Sequence, residues 1–194
     1  MGRGGLSAVV RAARPGDLGA VADIFAWYVR NTVATFEENP RTRREWSALS
    51  VWLGGLDLPF LVAEADGDIA GYAYAGPWRA KPGYRHTVED SVFVANGRTG
   101  RGLGRLLLAR LLGACAESGA RQVIAVIADT GEKASTALHE AFGFTVAGRL
   151  KAVGYKHGRW IDTLLMQRDL PLSLIAEDVT GPGRSDPPRS RKER

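Results

Sequence analysis

The chain has 194 residues, and 45% of them are hydrophobic, which is enough for one domain with a sizeable core. No apolar run is long enough to cross a bilayer and the N-terminal residues lack the apolar core of a signal peptide, so we expect a cytoplasmic protein without a membrane partner. The single cysteine excludes an internal disulfide framework.

The net charge of +5 is concentrated towards the C-terminus. Residues 181–194 contain five basic and two acidic side chains among Pro, Gly and Ser, and such a composition cannot bury enough apolar surface to become ordered. We therefore expect residues 1–170 to form the domain and residues 171–194 to be a flexible basic tail. The charge of the remainder is unremarkable, so no nucleic-acid partner is expected.

The N-terminal half of the chain predicts a strand, two helices and a hairpin. Leu18, Val21 and Ile24 recur at helical spacing. Thr42 and Glu45 form a capping-box pattern that indicates the start of the second helix. The predicted elements are a strand over 9–13, helices over 18–29 and 42–53, and hairpin strands over 60–65 and 69–75.

The C-terminal half adds further strands and two helices. The patterns predict strands over 87–94 and 122–128, helices over 103–118 and 133–142, and a closing hairpin with strands over 145–153 and 161–168 around a loop over 154–159. The whole pattern predicts an α+β fold, in which helices flank a mixed, largely antiparallel and twisted sheet.

A glycine-rich turn, GRTGRGLGR at residues 97–105, lies between a valine-rich strand and a leucine-rich helix. Free N–H groups at such a helix start favour an anion, and Arg98, Arg101 and Arg105 would add cations. The alternative is a plain turn that ends the strand. No Gly-Lys-Ser/Thr follows, which argues against a P-loop, and the position in mid-chain argues against a dinucleotide fold.

Several further motifs occur in order: TVATFEENPRTRREW at 32–46, AYAGPW at 73–78, LHEAFGF at 138–144 and GYKHGRW at 154–160. Together with the glycine turn they resemble the GNAT superfamily of N-acetyltransferases, in particular its phosphinothricin N-acetyltransferase branch, over about residues 8–170. The resemblance implies acetyl-CoA as co-substrate, transfer to the α-amine of a small amino-acid analogue such as phosphinothricin or methionine sulfoximine or sulfone, and a homodimer.

The resemblance also implies where the coenzyme is held. The backbone of Val92, Phe93 and Val94 would hold its pantetheine arm, and N–H groups of this strand would also stabilise charge on the thioester oxygen. The pyrophosphate would lie on the turn residues Gly100, Arg101, Gly102, Leu103, Gly104 and Arg105. Thr99 stands where the family has Gln or Arg, and Glu132 stands where it has an Asn that contacts the CoA arm.

Acetyl transfer to an amine requires a general base, because the amine must lose a proton to attack. Glu89, just before the strand segment 91–94, is the predicted base, and the resemblance points to the same residue. Asp90 is a rival, and a surface carboxylate without a role is the alternative. His139 is a predicted proton relay by analogy with the family, although a helix histidine is often structural.

A basic loop precedes Glu89 and is the predicted binding site for the anionic groups of the acceptor. It contains Arg79 and Lys81 beside Tyr84, and Phe36, with Glu37, would close the pocket by resemblance. A solvated basic loop is the alternative reading. Cys115 continues the buried Leu103–Leu107–Leu111 spacing, which favours a core thiol and direct transfer.

Three alternatives stay open at this point. The chain could acetylate a peptide, protein or polyamine amine, or it could bind acyl-CoA without catalysis. The third and less favoured alternative is nucleic-acid binding through the basic tail over 171–194. His86 and His157 lack metal-ligand spacing, so no metal site is predicted.

Overall fold

The computed structural model describes residues 8–131 and 133–170. Within them, seven strands form one sheet in the order β1-β2-β3-β4-β5-β7-β6. The strands are β1 Ala8–Ala12, β2 Phe60–Ala65, β3 Asp68–Pro77, β4 Thr87–Val94, β5 Gln122–Asp129, β6 Thr145–Lys156 and β7 Arg159–Asp169. The α-helices are α1 Leu18–Asn31, α2 Arg43–Gly54, α3 Leu103–Glu117 and α4 Ala134–Glu140.

The sheet is antiparallel at every junction except one. β4 and β5 are parallel, and they pair only at Thr87–Gln122, Val88–Val123 and Glu89–Ile124. The predicted α+β fold with a mixed, largely antiparallel sheet is confirmed. None of the helices in the described ranges is long and apolar enough to cross a membrane.

Each face of the sheet carries its own hydrophobic core. On one face α3 contributes Leu107, Leu108 and Leu111, all fully buried. On the other face α1 and α2 contribute Phe25 and Trp46. Because strand side chains alternate, β4 sends Val92 and Val94 to the α3 face and Phe93 to the α1 face. The same alternation places Glu89 on the α1 face and Asp90 on the α3 face.

The predicted capping box starts α2. The Thr42 hydroxyl accepts a hydrogen bond from the Glu45 backbone N–H at 3.3 Å, and the Thr42 N–H donates to the Glu45 carboxylate at 2.7 Å. Two backbone donors are therefore satisfied at the first turn. The cap fixes where α2 begins, so it also fixes the end of the segment that joins α1 to α2.

The prediction of a loop over residues 154–159 was wrong. β6 shifts its register between Leu150 and Gly154, and its last residues then pair with the start of β7. The turn is consequently only His157 and Gly158, which have φ values of 50° and 74°. Such a two-residue turn with positive φ suits the twist of a hairpin. The longer β6 brings Gly154 and Lys156 against the segment after α1.

Candidate active site

A wedge opens in the sheet where β4 and β5 separate. Their pairing ends at Glu89, while β4 continues beside β3 to Val94 and β5 continues beside β7 to Asp129. Backbone groups on the facing edges beyond Glu89 are therefore not paired across this junction. Polar backbone groups left in this way need another partner, which a ligand can supply.

A cavity of about 1020 Å³ occupies this wedge and extends to both faces of the sheet. Its wall includes Glu89 and His139 from the predicted catalytic set. Of the predicted cofactor residues, the wall includes Val92, Phe93, Val94, Gly100, Leu103 and Gly104. The structure thus brings the β4 segment and the glycine turn together around one space.

The glycine turn delivers the start of α3 to this cavity. Gly100 and Gly102 have φ values of 73° and 83°, which side chains with a Cβ rarely adopt. Gly102 is the N-cap, and its carbonyl accepts from the Leu106 N–H at 3.0 Å. A Cβ at Gly104 would make an ordinary contact with Leu138 of α4, 3.4 Å away, so α3 and α4 lie side by side here. The first amides of α3 can therefore face an anion.

The structure differs from the expectation that three arginines surround the turn. Arg98 lines the cavity but is ion-paired with Asp66 at 2.6 Å and Asp68 at 3.6 Å. Arg105 lies over the Phe142 ring at 5.4 Å from its centroid, because the helix turns this position towards α4. Arg101, Gly102 and Arg105 are exposed and do not line the cavity.

Thr99 and Glu132 are the two positions at which the sequence departs from the family pattern, and the structure describes only the first of them. Thr99 lines the cavity beside the glycine turn. Glu132, the remaining predicted cofactor residue, lies outside the described residues. Its role stays a prediction.

Glu89 is partly buried in the cavity wall at the last β4–β5 pair. Burial raises the pKa of its carboxyl above the ordinary value, and the negative charge of Asp90 adds to this, whereas Arg79 opposes it. A carboxylate with a raised pKa accepts a proton more readily. Glu89 therefore has the placement and the electrostatics of a general base.

Asp90, the rival base, is engaged with His139. Asp90 Oδ2 lies 3.0 Å from His139 Nε2, and both side chains are almost fully buried. His139 Nδ1 donates to the Ser135 carbonyl at 2.7 Å, so both ring nitrogens act as donors when the ring is charged. Burial lowers the pKa of His139, but the hydrogen bond and charge of Asp90 and the Ser135 carbonyl outweigh it, so the pKa is raised.

This pairing bears on both predicted roles. Asp90 lies on the opposite sheet face from Glu89 and is hydrogen-bonded to His139, which does not suit a free base. The ring of His139 lines the cavity with both of its nitrogens already hydrogen-bonded. Its role as a proton relay stays a prediction, and Asp90 Oδ1 is buried without a hydrogen-bond partner.

The structure does not bring the predicted basic loop into the cavity. Arg79, Lys81 and Tyr84 are exposed and are absent from the cavity wall. The 3₁₀ turn Pro82–Tyr84 carries this loop outwards, and the Arg79 guanidinium lies over Trp78, 4.7 Å from the ring centroid. Of these residues only Arg79 acts electrostatically on Glu89.

Phe36 does lie in the cavity wall, as predicted. Its ring packs directly on Gly154 of β6, where any Cβ would overlap the ring carbons. Phe36 and Gly154 lie in two of the motifs that carry the family resemblance. No sequence spacing predicts that these two residues touch. Their contact appears only once β6 has been placed.

Arg41 and Tyr74 are wall residues that the sequence reasoning missed. Arg41 forms an ion pair with Glu37 at 2.7 Å, and Glu37 and Tyr74 both act to raise the pKa of its guanidinium. Both residues lie inside quoted motifs, yet neither has a spacing that indicates a site.

Cys115 is fully buried in the α3 core, as predicted. Desolvation raises the pKa of its thiol to about 12, with a contribution from the charge of Asp90. In the described part of the chain, no group of three or more His, Cys, Asp or Glu side chains is arranged as metal ligands.

The comparisons with known proteins agree with this architecture. A family model described as an acetyltransferase (GNAT) domain matches residues 10–165. This chain belongs to the GNAT acetyltransferase family. The predicted family, fold and class of enzyme, an acyltransferase, are thereby confirmed.

Relatives within the family carry more specific names. The chain is 48% identical over 161 residues to the phosphinothricin N-acetyltransferase of Alcaligenes faecalis, covering 83% of this chain and 82% of the relative. It is 39% identical over 166 residues to the L-methionine sulfoximine/L-methionine sulfone acetyltransferase of Salmonella typhimurium LT2, covering 83% and 94%.

A solved structure shows the same likeness. It is that of a GNAT superfamily phosphinothricin acetyltransferase from Sinorhizobium meliloti in complex with AcCoA. It superposes with a TM-score of 0.83 at 40% identity, covering 91% of this chain and 95% of that chain.

Proposed function

We propose that this GNAT acetyltransferase moves the acetyl group of acetyl-CoA to the α-amine of a small amino-acid analogue of the phosphinothricin or methionine sulfoximine and sulfone type. The observation that carries the proposal is the cavity in the β4–β5 wedge, with Glu89 at its closed end. The names of the relatives supply the class of acceptor.

The residues around the wedge suit acetyl-CoA. Its thioester supplies the activated acetyl group. The edge of β4 over Val92, Phe93 and Val94 has no partner in β5, so its outward backbone groups can hydrogen-bond an extended amide chain, and the amides at Gly100 to Gly104 can hold a diphosphate. N–H groups on the same strand edge can also donate to the thioester oxygen as it gains charge.

Glu89 prepares the acceptor. An aliphatic amine is mostly protonated at neutral pH, and only its neutral form attacks a carbonyl. Glu89 takes the proton from the ammonium group, and the neutral amine bonds to the acetyl carbon. The carbon–sulfur bond then breaks, and CoA leaves as the thiol with the second proton that the nitrogen gives up. The raised pKa of Glu89 makes it a better proton acceptor than an ordinary surface carboxylate.

The transfer proceeds directly, without an acyl-enzyme. Cys115 has no access to the cavity, and with a pKa of about 12 almost none of its thiol is ionised at neutral pH. The acceptor and the thioester must therefore occupy the cavity together in a ternary complex.

An assay of free-thiol release tests the proposal. Acetyl-CoA is offered with phosphinothricin, methionine sulfoximine, methionine sulfone, aminoglycosides or short peptides. We expect thiol release with the amino-acid analogues. Release only with peptides would favour a protein or peptide acetyltransferase, and acetyl-CoA binding without release would favour a non-catalytic module.

The homodimer remains part of the proposal. β6 is an edge strand of the sheet, and it exposes Val146, Leu150, Val153 and Tyr155. Trp160, on the paired end of β7, is 67% exposed. An apolar row on an open strand edge favours a second copy as its partner. Sedimentation equilibrium would show a dimer, and a monomer at micromolar concentration would contradict it.

A further inference from the structure

The Glu89 side of the cavity contains a cation that no sequence pattern indicated. Among the described residues, the arginines of the cavity wall are Arg41, Arg98 and Arg159. Arg98 belongs to the glycine turn, and Arg159 is at the exposed start of β7. Arg41 alone lies with Phe36 in the segment between α1 and α2.

The guanidinium of Arg41 is held in place by aromatic rings. It lies 5.6 Å from the ring centroid of Phe25 and 5.4 Å from that of Trp46. Trp46 is fully buried and Phe25 nearly so, so both rings are fixed by the core. Stacking on aromatic faces suits arginine more than lysine and presents its N–H groups in a defined plane.

A carboxylate already occupies these N–H groups. Glu37 Oε1 accepts from Arg41 at 2.7 Å, and Tyr74 lies in the same cavity wall and favours the charged guanidinium. The side chains of Arg41 and Glu37 are 32% and 46% exposed, so the ion pair contributes little to stability and opens easily. Its geometry shows that a carboxylate fits on Arg41 inside the cavity.

Glu37 has an alternative cation close by. Lys156 of β6 is buried with its Nζ donating to the Thr35 carbonyl at 2.7 Å, and the charges of Glu37 and Glu38 act on it. A Glu37 side chain that leaves Arg41 therefore stays within the field of a positive charge.

We propose that Arg41, with Tyr74 beside it, binds the α-carboxylate of the acceptor, and that Glu37 occupies these donors only while the acceptor is absent. The inference rests on the proposed function and adds the residue that selects amino acids over simple amines. Tyr74 and Glu89 are diagonal neighbours on one sheet face, since Tyr74 pairs with Ser91 and Gly76 with Glu89. Diagonal positions lie roughly 7–8 Å apart, which suits the ammonium and carboxylate of one amino acid.

Two acceptors that differ only in the carboxylate provide the test. They are methionine sulfone and 3-(methylsulfonyl)propylamine, each at saturating acetyl-CoA. We expect R41Q to lower kcat/KM for methionine sulfone by about 10- to 100-fold, mainly through KM, because a charge-assisted pair is lost. The KM for acetyl-CoA and the reaction of the simple amine should stay within about twofold.

Three further variants separate docking from a structural role. R44Q, at an exposed position of the same helix region, should leave both acceptors unchanged. R41K keeps the charge without the planar fork and should give an intermediate KM. E37Q removes the competing carboxylate and should lower KM for methionine sulfone, whereas a purely structural ion pair would make E37Q resemble R41Q.

The outcomes also separate this inference from the proposed function. Equal loss with both acceptors in R41Q, or a raised KM in E37Q, overturns the role of Arg41 and leaves the acetyltransferase activity standing. A wild-type enzyme that binds acetyl-CoA but acetylates neither compound overturns the proposed acceptor class, and the role of Arg41 with it.

Discussion

Glu89 and Asp90 are adjacent carboxylates that β4 directs into different surroundings. Alternation along the strand turns Glu89 towards the α1 face and Asp90 towards the α3 face. Asp90 is hydrogen-bonded to His139, whereas Arg79 is the favourable charge that acts on Glu89. The two adjacent carboxylates therefore have different surroundings, and, of the two, only Asp90 is hydrogen-bonded to a side chain of the described cavity wall.

The first prediction concerns Glu89 itself. E89Q preserves the shape of the side chain and removes its basicity, so we expect kcat to fall by about 10²- to 10⁴-fold. The loss should be greatest at lower pH, where little free amine exists. D23N, at an exposed position of α1, is the control and should have wild-type kinetics. An E89Q enzyme with unchanged rates at pH 6 would remove Glu89 from this role.

The second prediction concerns the pH profile. Asp90 raises the pKa of Glu89, so D90N should lower that pKa and move the acidic limb of kcat/KM to lower pH. The sign follows because removing a negative neighbour favours the ionised carboxylate. A limb that stays in place, or moves to higher pH, would show that another group controls it. D90N also weakens the hold on His139, so its folding must be checked by thermal unfolding.

At the scale of elements, the β6–β7 hairpin braces the segment after α1. Lys156 donates to the Thr35 carbonyl and His157 Nε2 lies 3.2 Å from the Thr32 carbonyl. Gly154 supplies the flat surface on which Phe36 rests. Gly154, Lys156 and His157 thus all contact the irregular segment between α1 and α2. The same segment carries Arg41.

The third prediction tests this brace. G154A should push Phe36 out of its place, because the new Cβ would overlap the ring. We expect KM for the acceptor to rise about tenfold or more, with little change in KM for acetyl-CoA. G148A is the matched control, since it lies on the same strand with nothing within 4 Å of the added Cβ. Equal effects of the two variants would contradict the role of the brace.

Local patterns explain which elements the sequence could predict. The Thr42–Glu45 cap and the Leu103–Cys115 spacing act within a few residues, and both are confirmed. The contact of Lys156 with Thr35 joins positions 121 residues apart, and no local period encodes it. The loop expected over 154–159 failed for a related reason, because a register shift in β6 depends on its partner strand.

The site divides in the same way. Glu89, the β4 segment and the glycine turn follow from a strand that leads into a helix, and the structure brings them together. Arg79, Lys81 and Tyr84 looked suitable because they precede Glu89 in sequence. A 3₁₀ turn directs them to solvent, and Arg41 stands on the cavity wall instead.

At the scale of the whole molecule, Leu170, the last residue that the structure describes, is part of the core. Its side chain is 5% exposed, and its N–H donates to the Arg121 carbonyl at 2.8 Å. We propose that residues 171–194, which lie outside the described residues, are dispensable for catalysis. The division between a domain over 1–170 and a tail over 171–194 stays a prediction.

The fourth prediction follows from that boundary. Removal of residues 171–194 should leave kcat and both KM values unchanged. Removal of residues 170–194 should in addition cost about 1.5–3 kcal/mol of unfolding free energy, because the buried Leu170 is lost. Denaturant titration compares the two truncations. Loss of activity in the variant that lacks residues 171–194 would show that the tail contributes to function.

The parting of β4 from β5 also affects folding. Only three residue pairs join the two halves of the sheet at this junction, and beyond them the strands leave hydrogen-bonding capacity unused. A ligand bound in the wedge between β4 and β5 can hydrogen-bond both strand edges, as an additional strand would. Acetyl-CoA at about 100 times its dissociation constant should therefore raise the unfolding free energy by about 2.7 kcal/mol, which calorimetry can measure. Amide hydrogen exchange should slow in both β4 and β5, because bound acetyl-CoA links the two parts of the sheet that otherwise share only three residue pairs.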